Sequence, residues 1–253
     1  MAILHKISIF YMFKNNSPIL FIFLKSARIA SCAAALAAFS LHTPAAWAGR
    51  PLVTEDAAVL DAGACELESY IARLGRPRLN LQWGQLGCGT GFDTQINAGA
   101  GREKTYPGHV TIAALSGKTA LRALTDQQAG IAIAYSVLGG NHVDHMRHEA
   151  TEIKAVLSVP HEHWLAHANA GWVRTPSSHG GKTIWALALE RRNAAGPVDL
   201  MGEIFGDDRA APWAQLAARW TVVPDRLVFD TSIGAQFNGV HSRQATIGLK
   251  LAF

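Results

Sequence analysis

The chain has 253 residues, of which 49% are hydrophobic and only 17% are charged, with a formal net charge of +4. Soluble domains usually carry about 25% charged residues, yet no run here approaches the ~20 apolar residues that a membrane-spanning helix needs. This composition argues against a helical membrane protein and favours β structure.

Residues 1–48 differ in composition from the rest of the chain, because they include basic residues but no acidic one. The apolar stretch IASCAAALAAFSL follows Arg28, and Ala46 and Ala48 are placed as in an A-x-A cleavage site. This order is typical of a secretory signal peptide. We therefore predict that residues 1–48 are removed during export through the general secretory pathway; a lipoprotein cleavage box ending at Cys32 is the alternative.

Removal of this leader also removes the excess of positive charge. The remaining chain carries 19 basic and 19 acidic residues, so the basic isoelectric point gives no reason to expect a nucleic-acid partner. The next segment, 49–64, precedes the first predicted strand. We expect it either in the periplasm or inside a barrel as a plug.

From residue 65 onward, segments of about ten residues alternate between apolar and small polar residues and end in turn residues. This period of two predicts β-strands. Small apolar residues on one face, Trp at strand ends and a polar opposite face favour a transmembrane barrel over a soluble β-sandwich. We predict an all-β, antiparallel up-and-down barrel over 65–253, with about twelve strands: 65–73, 78–86, 92–101, 109–122, 129–138, 149–159, 163–174, 182–192, 197–206, 212–222, 226–236 and 243–253.

The alternation also predicts which side chains face the lipid. In RLNLQWGQ, the apolar Leu79, Leu81 and Trp83 are expected outside, and the polar Asn80 and Gln82 are expected in the lumen. Connections at the end that carries both termini are short. Four of the six at the other end are longer, as outward loops usually are: GREKTYPG, LGGNHVDHMRHEAT, RTPSSHGGK and GDDRAAP.

Two cysteines remain after removal of the leader, and they are placed to form a disulfide. A first hairpin centred on GRP pairs positions whose numbers sum to about 153, which brings Cys65 opposite Cys88. The same register sets Ile71 opposite Gln82. Since Gln82 is expected in the lumen, the first strand should carry a bulge or face the other way.

The stretch HVDHMRH offers clustered candidates for metal ligands, His142, His145 and His148. A solvated histidine cluster in the longest outward loop is the preferred interpretation, so we expect no dedicated metal site. Catalysis is not expected either, because G-x-S-x-G is absent, although Ser158, His167 and Glu190 are all predicted to point inward. No phosphate-binding loop occurs, and no cofactor is expected.

Charged residues on the predicted inner face have two interpretations. They form an ion-pair network that stiffens a narrow barrel, or they guide a permeating solute. These residues are Glu152, Lys154, Glu190, Glu203, Arg219, Asp230 and Lys250.

The final strand, ATIGLKLAF, has the features of a recognition signal for the barrel-assembly machinery. Thr246 is polar, Gly248 follows it, and Leu251 and Phe253 are the closing apolar pair. Phe253 should end a row of lipid-facing residues at the membrane interface.

Three stretches resemble one bacterial family: RPLVTEDAAVLDAGACELESY at residues 50–70, GEIFG at 202–206 and VVPDRLVFDTSIG at 222–234. They are similar to the meta-pathway phenol-degradation, or "transporter", outer-membrane family. The resemblance implies an outer-membrane β-barrel and the uptake of aromatic or other apolar small molecules. It implies no catalytic or binding residues.

The preferred hypothesis is therefore a channel or transporter in the bacterial outer membrane through which small molecules pass passively. Its expected partners are outer-membrane lipid, the barrel-assembly machinery and a small solute. One alternative is a structural barrel whose external loops bind a ligand or metal. Another is an outer-membrane enzyme whose rim acts on lipid.

Overall fold

The computed structural model of the protein describes residues 51–75, 79–105, 108–142, 145–176, 180–237 and 242–253, without the side chains of Thr105 and His142. The predicted leader, residues 1–48, lies outside the described residues. Within them, no helix is long and apolar enough to cross a membrane.

Twelve antiparallel strands form a single closed barrel, in which each strand pairs with the next and β12 pairs with β1. This confirms the predicted fold class and strand number. The strands are β1 (Cys65–Leu74), β2 (Leu79–Gly89), β3 (Thr94–Thr105), β4 (Gly108–Arg122), β5 (Gly130–His142), β6 (His145–His161), β7 (Trp164–Arg174), β8 (Lys182–Ala195), β9 (Val198–Asp207), β10 (Ala210–Val223), β11 (Leu227–Gln236) and β12 (Arg243–Ala252).

Side chains alternate between the inside and the outside of the barrel along each strand, as the period of two requires. In β11, Asp230 and Ser232 are buried inside, whereas Phe229 and Ile233 are exposed on the outer surface. Most strands follow this inversion, with polar residues inside and large apolar residues outside.

The barrel closes at the end where β1 begins and β12 ends, which we call the terminal rim. Cys65 and Phe253 exchange two backbone hydrogen bonds, each of 2.9 Å. Cys65 also forms the predicted disulfide with Cys88, its direct partner on β2, with a Cα–Cα distance of 4.2 Å. The start of β1 is therefore tied to both of its neighbours.

Connections at the opposite end, the far rim, are shorter than the sequence predicts. Only two residues separate β3 from β4, β5 from β6, and β9 from β10. Residues expected in long loops instead lengthen the strands, and β6 reaches 17 residues. The prediction of long outward loops at these hairpins was wrong, because their residues continue the backbone ladder.

The predicted orientation of β2 was also wrong in its far half. Leu79, Leu81 and Trp83 are buried inside the barrel, and Gln82 is exposed outside. The register between β1 and β2 runs without a bulge, and Ile71, 56% exposed, lies opposite Gln82 on the outer surface. The conflict between these two residues disappears because Gln82, and not β1, faces the other way.

Glycines on β3 make room for Trp83 inside the barrel. A Cβ atom placed on Gly101 would lie 2.7 Å from Cε3 of Trp83, and one on Gly99 would also collide with the ring. Any larger residue at these positions would displace the indole.

Candidate functional site

Residues 51–64, which we call the lumen segment, precede β1, and residues 51–60 lie inside the barrel. The segment leaves the lumen at the terminal rim. There the backbone N–H of Gly63 donates to the carbonyl of Gly89, at 3.1 Å. Its side chains at Leu52, Thr54 and Asp56 are buried within the barrel. The segment thus occupies part of the lumen.

Glu203 on β9 binds the start of the lumen segment at Val53 and Thr54, which we call its deep end. Its carboxylate accepts the backbone N–H of Val53 at 2.8 Å and that of Thr54 at 2.9 Å. It also accepts the hydroxyl of Thr54 at 2.6 Å. Such charge-assisted hydrogen bonds are roughly twice as strong as neutral ones.

Polar side chains on other strands pair with the rest of the segment's backbone. Asn169 on β7 both accepts from the N–H of Glu55, at 2.6 Å, and donates to its carbonyl, at 2.9 Å. The hydroxyl of Ser158 accepts the N–H of Ala57 at 2.9 Å. Side chains therefore replace the ladder that a strand would supply, as buried backbone groups require.

Two lysines pair with the carboxylates of the segment and the wall. Lys118 on β4 donates to Oδ1 of Asp56 at 2.7 Å. Lys154 on β6 lies 2.9 Å from Glu152 and 3.6 Å from Glu55. Each buried ammonium thus has a carboxylate partner, which offsets the cost of its desolvation.

Small wall residues leave space for the apolar side chains of the segment. Leu52 packs in one cluster and Ala57 in another. The first cluster contains Ala188, Met201 and Ala217, and the second contains Ala132, Ala134 and Val156.

All seven predicted lumen charges lie inside the barrel: Glu152, Lys154, Glu190, Glu203, Arg219, Asp230 and Lys250. Arg219 lies 3.1 Å from Glu190 and 3.6 Å from Asp199. Lys250 lies 3.5 Å from Glu66. Both signs are mixed. Five of the seven have a partner of opposite charge within 3.5 Å, which suits a stiffening network: Glu152, Lys154, Glu190, Arg219 and Lys250.

The sequence did not identify Glu66 and Glu68, which also point into the lumen. Their spacing of two in CELESY was a sufficient signal. The expected inward position of Gln82 conflicts with this signal, because it leaves the orientation of the first strand open.

Near the far rim the lumen is lined by apolar side chains, which we call the apolar layer. Its buried members are Tyr70, Ala72, Leu74, Leu79, Leu81, Trp83, Ile112, Leu138, Ala150 and Val173, with Val110, Ala114, Ile184 and Trp213 packed against them. The sequence did not predict this layer, because it assigned the apolar face of β2 to lipid.

Between the apolar layer and the deep end of the lumen segment lies a cavity of about 40 Å³. Val53, Val173, Phe205 and Lys182 are among the residues that line it. Since one water needs about 10–15 Å³, the cavity holds a few waters at most.

The inward-pointing Ser158 and His167 form a hydrogen bond of 2.8 Å between Oγ and Nδ1. Both side chains are buried, and Ser158 also contacts the backbone of Ala57. Glu190, the acid predicted to point inward with them, lies 3.1 Å from Arg219. The hydroxyl is thus covered by the lumen segment and holds it in place.

The histidine-rich stretch lies in the β5–β6 hairpin and not in a long loop. His145 accepts a hydrogen bond from Arg147, and His148 bonds to Thr151, each at 2.9 Å. His145 and His148 are three residues apart on one strand, so alternation directs them to opposite faces. Among the described residues, no group of three or more candidate ligands could hold a metal; the side chain of His142 lies outside them.

The residues of the predicted assembly signal occupy both faces of β12. Thr246 and Gly248 face inward, and the hydroxyls of Thr246 and Ser232 lie 2.6 Å apart. Leu251 and Phe253 are exposed outside, Phe253 by 57%.

Comparison with known proteins gives likeness in fold alone. No family model matches the sequence, and no curated protein matches it. Among solved structures, the chain is similar to the KdgM porin in complex with disordered oligogalacturonate, with a TM-score of 0.57 and 5% identity over 74% of this chain and 99% of that one. The NanC porin gives a TM-score of 0.55 and 9% identity over 73% and 98%.

Outer membrane phospholipase A from Escherichia coli gives a TM-score of 0.47 and 10% identity, over 79% of this chain and 92% of that one. A score this low carries no argument for lipid hydrolysis. The likeness to KdgM and NanC shows that the chain folds as a closed antiparallel β-barrel with the architecture of these porins.

Proposed function

We propose that this protein is a bacterial outer-membrane barrel through which small apolar molecules pass, and that the lumen segment closes it in the state described above. The observation that carries this proposal is the inverted barrel: apolar side chains cover its outside, while paired charges and a separate non-strand segment fill its inside.

The outer surface supports residence in a membrane. Trp164 and Trp172 on β7 both face outward and are eight residues apart, which is about 26 Å along a strand. At a strand tilt near 40°, they lie about 20 Å apart along the barrel axis, close to the height of an apolar band. Arg191 lies 5.4 Å from the ring of Trp164, an arrangement that suits a membrane interface.

The lumen segment supports a passage that opens. It is joined to the wall mainly by side chains. Among the described residues, it pairs with strand backbone only near the terminal rim, through Ala62 and Gly89. Such a segment can leave the lumen without breaking the ladder of any strand pair. Its departure would enlarge the cavity next to the apolar layer.

The apolar layer favours an apolar solute. Near the far rim, a molecule meets the apolar Tyr70, Leu81 and Trp83 on β1 and β2. One ion pair, Lys182–Asp207 at 3.2 Å, lies at the same rim on β8 and β9. An aromatic ring can stack on these apolar side chains, whereas a sugar would lose hydrogen bonds with water there. The resemblance to the phenol-degradation family supports the same solute class.

Uptake by a deletion strain tests the proposal. Cells that lack the protein should take up a radiolabelled aromatic hydrocarbon more slowly, and the wild-type gene should restore the rate. Uptake of a disaccharide should not change. Leu81→Asn, within the apolar layer, should reduce the restored rate several-fold, whereas Gln82→Asn, on the adjacent outward position, should not.

Heat-modifiable migration on gels should be measured for Leu81→Asn and Gln82→Asn, as the control that both variants fold. Equal uptake of the hydrocarbon with and without the gene would contradict the proposal. Recovery of the wild-type protein in the soluble periplasm would contradict its membrane location.

The alternative of a sealed structural barrel is favoured by one observation, the small size of the remaining cavity, about 40 Å³. Bilayer recordings separate the two. A barrel that still conducts no ions after removal of the lumen segment is structural.

A further inference from the structure

Four cations form a patch on the outer surface of the barrel, near the far rim of β12, β1 and β3. Arg73, Arg102, Lys104 and Arg243 are all exposed, and each alternates with inward-facing neighbours. They lie on the outside of the barrel and not in the lumen. Neither the lumen segment nor the apolar layer uses them, so the proposed passage leaves the patch without a role.

Strand pairing places the four side chains close together. Arg73 pairs with Asn80, which pairs with Lys104, so Arg73 and Lys104 are two strand spacings, about 10 Å, apart. Arg102 is two residues from Lys104 on the same face, about 7 Å along the strand. Arg243 on β12 is the diagonal neighbour of Arg73 on the adjacent β1, at about 7–8 Å.

No negative charge balances this patch. The described outward positions of β12, β1, β2 and β3 contain no Asp or Glu, and Glu68 and Glu103 point inward. Within the part of the chain that the structure describes, none of the four cations forms an ion pair. Four like charges at this spacing repel one another unless an anion lies between them.

The height of the patch matches a lipid headgroup. Arg73 is eight residues from Cys65 at the terminal rim, about 26 Å along the strand and about 20 Å along the axis of a barrel tilted near 40°. An apolar band is about 25 Å tall, so the guanidinium reaches its outer edge. The free-energy cost of placing a cation on the lipid-facing surface is small at this height and several times larger at the centre of a bilayer.

Two apolar grooves on the outer surface begin at the patch. One, of about 1230 Å³, has Arg73 and Arg243 at its edge and runs past Leu216, Leu187 and Leu157. The other, of about 580 Å³, has Arg102 at its edge and is lined by Ile71, Ile247 and Leu249. The larger groove exceeds the ~300–1,000 Å³ of a small-molecule site, and its walls offer apolar contacts.

We propose that this patch and its grooves bind a phosphorylated lipid of the outer leaflet, with the phosphates on the four cations and the acyl chains along the grooves. Arginine suits this role because its guanidinium binds a phosphate through two parallel hydrogen bonds. A glycolipid of the lipid A type has the required chemistry, several acyl chains and a phosphorylated headgroup. This inference rests on the proposed membrane location but not on passage through the lumen.

Equilibrium binding of fluorescent lipid A to the purified full-length mature protein in detergent tests the inference. The triple variant Arg73→Gln/Arg102→Gln/Lys104→Gln should bind lipid A at least about tenfold more weakly, since each cation near an anionic surface contributes several-fold. The matched control Arg174→Gln/Arg191→Gln/Arg226→Gln removes three exposed arginines elsewhere and should bind as the wild type does. Phosphatidylcholine should bind equally and weakly to all three proteins.

Equal binding of lipid A by the patch variant and the wild type would overturn the inference. Binding of inorganic phosphate as tight as that of lipid A would also overturn it, because the site would then recognise free phosphate. The patch variant should keep the wild-type rate of hydrocarbon uptake. If the wild-type protein binds lipid A but does not speed hydrocarbon uptake, the proposed passage alone is contradicted. If it speeds uptake but does not bind lipid A, the lipid site alone is contradicted.

Discussion

At the scale of single residues, Glu203 shows how a barrel wall holds a segment that has no strand partner. One carboxylate accepts two backbone N–H groups and one hydroxyl from Val53 and Thr54. A strand would satisfy these groups with a neighbouring backbone. Here the side chain of Glu203 does so for both residues.

Glu203→Gln should loosen the lumen segment. The amide keeps one acceptor oxygen but presents an NH₂ group toward backbone N–H donors, so at least one charge-assisted hydrogen bond is lost. A loss of about 2 kcal/mol corresponds to a roughly thirtyfold rise in the population of open barrels. Single-channel recordings in planar bilayers should show this rise as more frequent openings.

Glu190→Gln is the matched control, because it also neutralises a buried carboxylate. Glu190 pairs with Arg219 and not with the lumen segment. The opening frequency of the Glu190→Gln variant should therefore stay near that of the wild type. Equal frequencies for both variants would show that Glu203 does not hold the segment.

At the scale of elements, β2 shows where patterning predicts the fold and where it does not. Alternation defines two faces of a strand, but it does not say which face is inside. The rule that the apolar face of a membrane strand meets lipid succeeds for β11 and β12. It fails for the far half of β2, because the lumen there contains an apolar layer assembled from other strands.

The inward position of Leu81 is directly testable with cysteine labelling. In folded protein within lipid vesicles, Gln82→Cys should react readily with a lipid-soluble maleimide, and Leu81→Cys should react at least tenfold more slowly. Leu81 is 0% exposed, whereas Gln82 faces outward. The native Cys65 and Cys88 are joined in a disulfide and should not react. Faster labelling at position 81 than at position 82 would contradict the inward position of Leu81 and support the orientation predicted from the sequence.

Much of the candidate site could be predicted from the sequence, for physical reasons that differ between residues. The partner of Cys65 follows from hairpin register alone, which is local. The inward position of Asp230 follows from alternation, which is also local. The partners of Glu203 do not, because Val53 lies 150 residues away and its contact depends on how the whole barrel closes.

At the scale of the whole molecule, the lumen segment and the wall form one structure of complementary charges. Lys118 and Lys154 meet carboxylates of the segment within the lumen. Without the segment, Lys118 would lose the partner that lies nearest to it, Asp56, at 2.7 Å. Water would then have to enter the lumen to hydrate it.

Deletion of residues 51–61 should therefore open the barrel and destabilise it. Bilayer recordings should show a steady current that is absent or rare in the wild type, and the midpoint of heat-modifiable migration should fall by several degrees. A synthetic peptide of residues 51–64 added to the deletion variant should reduce the current. A scrambled peptide of the same composition should not. No current from the folded deletion variant would contradict the role of the segment as a closure.

The burial of Pro51 has a practical consequence for any experiment on this protein. The carbonyl of Pro51 accepts a hydrogen bond of 3.0 Å from Gln215 inside the lumen, so Pro51 itself lies within the barrel. A purification tag attached ahead of Pro51 would have to share that space or pull the segment out. Tagged protein would then conduct ions only because the tag had displaced the segment. Affinity tags should instead be inserted in the far-rim hairpins.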